Sequence, residues 1–363
     1  MAECFVTDDT LMPCSNVRSN RLSVILSESE IPRTNHEAKR MRAVVHDKFG
    51  APEVLSLREV DRPVPRRGDV LIEVHATTVT AAEILIRRGR PLWGRVILGL
   101  ARPRRMLRIP GLELSGEIVA VGADVERFAP GDQVFGFTGF GVGACAEYKC
   151  MPATASLELK PSNTSYQQAA ASVDGATTAL YFLRDVARVR AGQHVLINGA
   201  SGSIGTYAVQ LAKFFGAEVT AVCSAKNAEL VTSLGADHVI DYTTDDFTTR
   251  RNAYDVIFDT VTASSFGQCR SALTPTGCYV PTTELRNWAI AGWTALRGGR
   301  KVKPGMSIDK RAALAFIKEL IEGGQLHIVI DRNYRLDQIV EAHRYVETGH
   351  KRGNVTISIT AET

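Results

Sequence analysis

The sequence predicts an α/β protein in which a compact, barrel-type β domain is joined to a doubly wound parallel sheet. Three observations predict it. Short β-branched runs separated by Gly, Pro and Asp fill residues 41–161, and strands then alternate with helices up to about residue 324. A glycine-rich turn follows one of those strands and opens a helix.

Residues 1–40 are polar and rich in Ser, Asn and Glu, with no sustained periodicity beyond a short Leu22–Leu26 stretch. They read as a flexible N-terminal extension ahead of a core that begins near Met41. The strand-like Arg42–Val45 comes next, then Val70–His75, Ile118–Val121 and Gln133–Phe137. In the alternating half, His194–Asn198 reads as a buried strand, Ile204–Phe215 as a helix and Glu218–Val222 as the next strand. Helix Asn227–Leu234 and strands His238–Ile240 and Asp255–Thr260 continue the pattern. The chain ends with helix Lys310–Ile321, strand His327–Ile330, helix Leu336–Glu347 and strand Asn354–Ile359.

Composition narrows the function classes. The 363 residues are 45% hydrophobic and 23% charged, which excludes a mainly disordered, collagenous or coiled-coil chain. With 43 Lys and Arg against 39 Asp and Glu, the net charge of +4 does not signal a nucleic-acid binder. The seven cysteines include no C-x-x-C pair, which argues against a disulfide framework or zinc knuckle and for a reducing compartment. No apolar run reaches the ~18 residues of a membrane span. Glu3, Asp8 and Asp9 are out of keeping with a secretory or transit leader, so a cytoplasmic protein is expected.

The turn itself reads Asn198-Gly199-Ala200-Ser201-Gly202-Ser203-Ile204-Gly205. Ala200 takes the first position of the G-x-G-x-x-G pattern, and Gly202 and Gly205 the other two. Gly202 would let backbone approach a pyrophosphate, and Gly205 would let helix pack on strand. Free N–H groups at the helix start would then face the anion. The plain alternative is a tight strand-to-helix turn with no ligand. Ile204, Ala208, Leu211, Ala212 and Phe215 form the stripe that would anchor the helix.

The end of the following strand separates NAD from NADP. An NAD site places Asp or Glu there, about twenty residues after the glycines, to hold the ribose diol. Here the residues are Cys223-Ser224-Ala225-Lys226-Asn227. A hydroxyl at Ser224 and an ammonium at Lys226 would accept a 2′-phosphate, and Tyr242 after the third strand could touch the same group. NADPH is therefore the expected cofactor, with a solvated lysine as the alternative.

Further motifs are Pro110-Gly111-Leu112-Glu113, the spacing of Glu113, Gly116, Gly122 and Val125, and Gly131-Asp132-Gln133-Val134. Leu234-Gly235-Ala236-Asp237 and the closing Gly349–Val355 segment follow the turn in order. Together these resemble the medium-chain dehydrogenase/reductase superfamily, specifically its zinc-free quinone oxidoreductase-like branch, over about Met41–Ile359. The resemblance implies a GroES-like substrate domain from residues 41–162 and 325–363, and a Rossmann dinucleotide-binding domain from residues 163–324. It also implies a homodimer.

Zinc-dependent relatives carry Cys where this chain has Thr80 and His where it has Leu112. Neither Thr nor Leu can replace those ligands, so no zinc is expected and Glu113 reads as a structural carboxylate in a turn. Hydride transfer to a simple carbonyl leaves an alkoxide that calls for a Lewis acid or a placed donor. A quinone or α,β-unsaturated carbonyl delocalises the charge and needs less help. The expected activity is therefore zinc-independent, NADPH-dependent reduction of such a small, apolar substrate. Reduction of aldehydes or ketones is one alternative, and a non-catalytic cofactor-binding protein at a membrane is the other.

Site residues follow from the same resemblance. Thr80 would hydrogen-bond substrate oxygen or nicotinamide ribose, or else satisfy loop backbone, and Glu83 stands where relatives have Asp. Tyr148 and Cys145 read as a structurally bonded tyrosine and a small core residue rather than a donor and a reactive thiol. Thr177 and Thr178 match a nicotinamide-facing helix start. Thr260 and Val261 would end a strand beside the nicotinamide, with Val280–Thr283 near its amide. Arg352, Gly353 and Asn354 match the closing cofactor loop, where Arg352 would reach phosphate.

Two basic, apolar segments stand apart. Arg87–Arg108 holds eight arginines and no acid, interleaved with Trp93, Val96, Ile97, Leu98 and Leu100. Trp288–Lys303 holds Trp293, Leu296, Arg297, Arg300, Lys301 and Lys303. Each would be a solvated face, a substrate lid or a peripheral membrane contact.

Overall fold

The computed structural model describes residues 39–282 and 286–360, with the backbone alone at Trp93 and Phe140. Nearly all of the expected extension, and Thr283, lie outside the described residues. The first half supplies β1 (Arg40–Val45), β2 (Ser56–Asp61), β3 (Asp69–Thr78), α1 (Ala81–Arg88), α2 (Arg95–Leu98), β4 (Glu113–Val121), β5 (Gln133–Phe137), β6 (Tyr148–Pro152) and β7 (Leu157–Leu159). Two helices follow, α3 (Tyr166–Ala171) and α4 (Asp174–Leu180). Then come β8 (His194–Asn198), α5 (Ser203–Phe214), β9 (Glu218–Cys223), α6 (Ala228–Ser233), β10 (His238–Asp241), β11 (Tyr254–Asp259), α7 (Phe266–Cys269), β12 (Leu273–Pro281), α8 (Arg286–Leu296) and β13 (Lys301–Val302). The chain closes with α9 (Arg311–Glu322), β14 (Ile330–Arg335), α10 (Ile339–Glu347) and β15 (Asn354–Ser358).

Seven strands form one mixed sheet in the order β14-β15-β3-β4-β5-β7, with β6 also on β3. In β3 the alternating Val70, Ile72, Val74 and Ala76 are fully buried, as a strand with one core face requires. The last strand returns to this sheet, Ile357 lying opposite Thr77, so residues from both ends of the chain build it.

Six parallel strands form the second sheet, in the order β10-β9-β8-β11-β12-β13. Along β8, Val195 and Ile197 enter one apolar cluster and Leu196 the other, so the strand is buried on both faces. That double burial is why it reads as an unbroken apolar run. The winding reverses beside β8, which pairs with β9 on one side and β11 on the other. A crevice opens at such a switch point, outside the carboxyl ends of the strands.

One expected strand begins late. His327 N–H donates to Gln210 Oε1 (2.7 Å) and Val329 O accepts from Asn354 N–H (2.9 Å), so this stretch bonds to α5 and the closing loop. The ladder therefore starts at Ile330 rather than His327. Helix α4 forms where the resemblance implies a helix start, although Gly175, Thr177 and Thr178 are weak helix formers. Packing overrides propensity there: a Cβ at Gly175 would lie 2.7 Å from Ser203 Oγ, so α4 rests directly on α5.

Candidate active site

The turn after β8 is shaped by two glycines. Gly199 has φ +79°, and a Cβ there would meet Val261 Cγ1 at 2.5 Å. At Gly205 a Cβ would come within 2.2 Å of Gly199 O, so the helix can approach the strand only without a side chain. A Cβ at Gly202, by contrast, would find its nearest atom at 3.4 Å, leaving an open approach to the N-terminus of α5. The buried Asp259 carboxylate accepts from Ser264 N–H (3.0 Å) and Tyr279 O–H (2.9 Å), shaping the loop opposite.

In front of the turn lies a cavity of about 520 Å³. Gly199, Ser201, Gly202, Ser224, Lys226, Tyr242 and Val261 line it, as the sequence predicts. Asn227 ties rim to turn, its Nδ2–H donating to Ser201 Oγ (2.9 Å), while its buried Oδ1 finds no donor among the described residues. An open backbone cradle and an unmet acceptor suit the pyrophosphate and the hydroxyl-rich adenosine half of a nicotinamide dinucleotide.

Other expected contacts act behind the cavity. Ala200 is buried, Ile204 packs into the core, and Thr260 donates to Asn198 O (2.8 Å). Ser203 donates to Asn354 Oδ1 (2.5 Å), and Gly353 N–H donates to Ser201 O (2.8 Å), so the closing loop clamps the turn. The phosphate contact expected of Arg352 goes elsewhere. Arg352 is exposed and absent from the lining, whereas His350 and Lys351 face the cavity. Burial holds the Lys351 ammonium down to about 8, against the pull of Glu113 and Asp331.

A second, buried polar cluster is assembled from distant segments. Glu113, at the start of β4 rather than in a turn, is buried; it accepts from the Thr78 hydroxyl and from Asp174 N–H (2.5 Å). Burial, then the Asp174 charge, push its carboxyl up to about 8. Lys310 is 1% exposed and had been read only as the start of a helix. Its Nζ lies 2.9 Å from Asp174 Oδ1, 3.0 Å from Thr177 Oγ1, 3.1 Å from Thr178 Oγ1 and 5.0 Å from the Phe137 ring centre. Thr178 and Asp174 are the α4 side chains left partly exposed, and Thr178 does not line the adenosine-side cavity. Sequence motifs marked Glu113, Thr177 and Thr178, but no local signal joined Lys310 to them, because it lies in a distant segment.

The zinc position does not fit a metal. Thr80 caps α1, its Oγ1 accepting from Glu83 N–H (3.2 Å), and Glu83 Oε2 accepts from Thr80 N–H in return (2.7 Å). Glu83 Oε1 accepts from Leu112 N–H, and burial raises this carboxyl to about 7. The Leu112 side chain offers no ligand and packs with Leu107 and Val142. Among the described residues, no three His, Cys, Asp or Glu side chains gather to hold a metal ion. Nearby, Tyr148 donates to Glu73 Oε1 (3.2 Å) beneath the Arg62 guanidinium, and Cys145 is buried with its thiol pushed well up.

Known proteins agree with this geometry. Residues 66–161 match the alcohol dehydrogenase GroES-like domain family, and residues 234–357 match the zinc-binding dehydrogenase family. A chloroplastic quinone oxidoreductase of Triphysaria versicolor is 30% identical over 88% of this chain and 98% of its own length. A mitochondrial NAD(P)H oxidoreductase of Bos taurus is 29% identical over 95% of this chain and 96% of its own. The solved quinone oxidoreductase of Coxiella burnetii superposes with a TM-score of 0.80 at 29% identity, covering 89% of this chain and 100% of that one. The chain therefore belongs to the medium-chain dehydrogenase/reductase superfamily, in its zinc-free quinone oxidoreductase-like branch, and is an oxidoreductase that uses a nicotinamide cofactor.

Proposed function

We propose that the protein reduces a quinone or an α,β-unsaturated carbonyl with hydride from NADPH and without zinc. The observation that carries this reading is a site with Thr80 and Leu112 at the zinc-ligand positions and, as its proposed floor, a buried cluster with a hydrogen-bonded ammonium at Lys310. The nicotinamide, when bound, supplies hydride. Addition to either acceptor spreads negative charge between carbon and oxygen, so hydrogen bonding suffices where an isolated alkoxide would call for a Lewis acid.

Lys310 Nζ holds the proton. The Thr178 hydroxyl, 3.1 Å away, passes one proton toward the reduced substrate and takes one from the ammonium. Asp174, paired with Lys310 and partly exposed, links that ammonium to solvent. Leu107, Leu112, Val142 and Phe137 supply an apolar wall for the acceptor. On the cofactor side, Ser224, Lys226 and Tyr242 share one rim of the cavity and would hold the 2′-phosphate.

Steady-state NADPH oxidation with a quinone, an enone and a saturated ketone tests the proposal. Turnover of the quinone or the enone, with little of the ketone, is expected. Turnover of the ketone alone would overturn the charge-delocalisation argument.

A further inference from the structure

The reductase chemistry leaves the arginine-rich segment between α1 and β4 unused. Helix α2 and a short helical turn at Arg105–Leu107 fold back on each other across a reversal at Gly99. Arg104 N–H donates to Leu98 O (2.9 Å), and Arg104 Nη2 donates to Val96 O (3.1 Å). Leu98 and Leu107 point inward and pack near Leu112 and Val142, which fixes the loop to the core beneath it.

Its outer face is different. Val96, Ile97, Leu100 and Met106 are 67, 65, 74 and 55% exposed, four aliphatic or thioether side chains on one small loop. Arg90, Arg102, Arg104 and Arg105 are exposed around them, and none is ion-paired among the described residues. The flanking arginines are already committed: Arg87 and Arg88 to Glu347, and Arg108 to Asp47. No acid occurs between Glu83 and Glu113.

We propose that this face docks on an anionic phospholipid surface. A protein partner would have to present acids in register with each guanidinium, whereas a headgroup layer offers anions in any register. Aliphatic side chains at the tip would sit at the acyl boundary while the longer arginines reach phosphate. No described helix is long and apolar enough to cross a bilayer, so the attachment is peripheral. The second basic segment also exposes Leu296, Trp288 and Trp293, but it offers fewer free cations, because Arg297 stacks on Trp293 and two others are turned inward. Lys301 Nζ donates to Thr294 O (2.6 Å), and Arg300 Nη2 donates to Asn252 Oδ1 (2.6 Å). Docking would bring the wall at Leu112 close to the bilayer, where an apolar acceptor dissolves. That consequence rests on the substrate class proposed above, whereas the docking itself does not.

Cosedimentation of the full chain with phosphatidylcholine vesicles, with and without phosphatidylserine, is the test. Binding is expected only with the anionic lipid and should fall as salt rises. Arg104→Glu with Arg105→Glu should weaken it about tenfold or more, and so should Leu100→Ser with Ile97→Ser. Arg190→Glu with Arg251→Glu, the same charge change on exposed residues elsewhere, should leave it within about twofold. Thermal midpoints and NADPH oxidation in solution show that each variant is folded. No binding to anionic vesicles at low salt overturns the proposal, as does equal loss in the two charge-reversal variants. A molar mass that falls in the Leu100 variant, with vesicle binding unchanged, would assign the patch to a second copy of the chain and equally overturn it.

Discussion

The phosphate turn and the buried polar cluster around Lys310, the floor of the proposed site, are built in opposite ways. The turn is eight consecutive residues, 198–205, whose own backbone makes the cradle. The floor draws Thr78, Glu113, Asp174, Thr178, Lys310 and Lys351 from segments up to 273 residues apart, joined only by sheet pairing and helix packing. A cradle made of backbone tolerates no added atom where strand and helix touch, at Gly199 and Gly205. A cluster made of side chains tolerates replacement of one member, at the expense of its chemistry.

Gly205→Ala should therefore have the largest effect. Its Cβ would lie 2.2 Å from Gly199 O and 2.7 Å from Ala200 Cα, both backbone atoms that cannot swing aside. NADPH affinity, followed by cofactor fluorescence, should fall by about a hundredfold or more, with a lower thermal midpoint. Affinity retained within about threefold would show that the turn does not seat the cofactor.

On the floor, Lys310→Met should lower kcat for enone reduction about a hundredfold while NADPH affinity stays within about threefold. Removing the ammonium leaves Asp174 unpaired beside the buried Glu113, so the fold is strained as well. Asp174→Asn with Lys310→Met restores neutrality and serves as the control. A double variant that regains stability but not kcat assigns chemistry to Lys310. One that regains both reduces the cluster to a clamp between the two sheets.

This contrast also explains what was legible in the sequence. Strand β8 and its turn announced themselves through an unbroken apolar run and glycines in fixed order. The pairing of β15 with β3 has no local signature and entered only through the family resemblance. In the closing loop, Arg352 and Lys351 are neighbours, and nothing periodic there tells which side chain lines the cavity; Lys351 does. Glu113 read as structural, and its bonds to Thr78 and Asp174 bear that role out, though it joins two segments rather than bracing a turn. Lys310 was invisible because its partners lie more than 130 residues away. Val96, Ile97 and Leu100 could have been tucked inward or turned out, and only the fold decides which.

The smallest effect should come from the rim, where the proposed preference for NADPH rests on one charge. Besides Ser224, Lys226 and Tyr242, the cavity is lined by Asp245 and Asp246, two acids that would repel a 2′-phosphate. Asp245 is offset by Arg250 (3.0 Å), whereas Asp246, which accepts from Thr248 N–H (2.9 Å), keeps its charge and is a counterweight to Lys226. Lys226 is exposed, so its field is screened by salt in a way that the steric block at Gly205 is not. Lys226→Glu should lower the NADPH/NADH affinity ratio about ten- to a hundredfold at low salt, with NADH affinity nearly constant. Lys226→Gln should give a smaller drop, separating loss of attraction from added repulsion. An unchanged ratio in both variants would make Lys226 a solvated surface charge and leave cofactor choice to the hydroxyls of Ser224 and Tyr242.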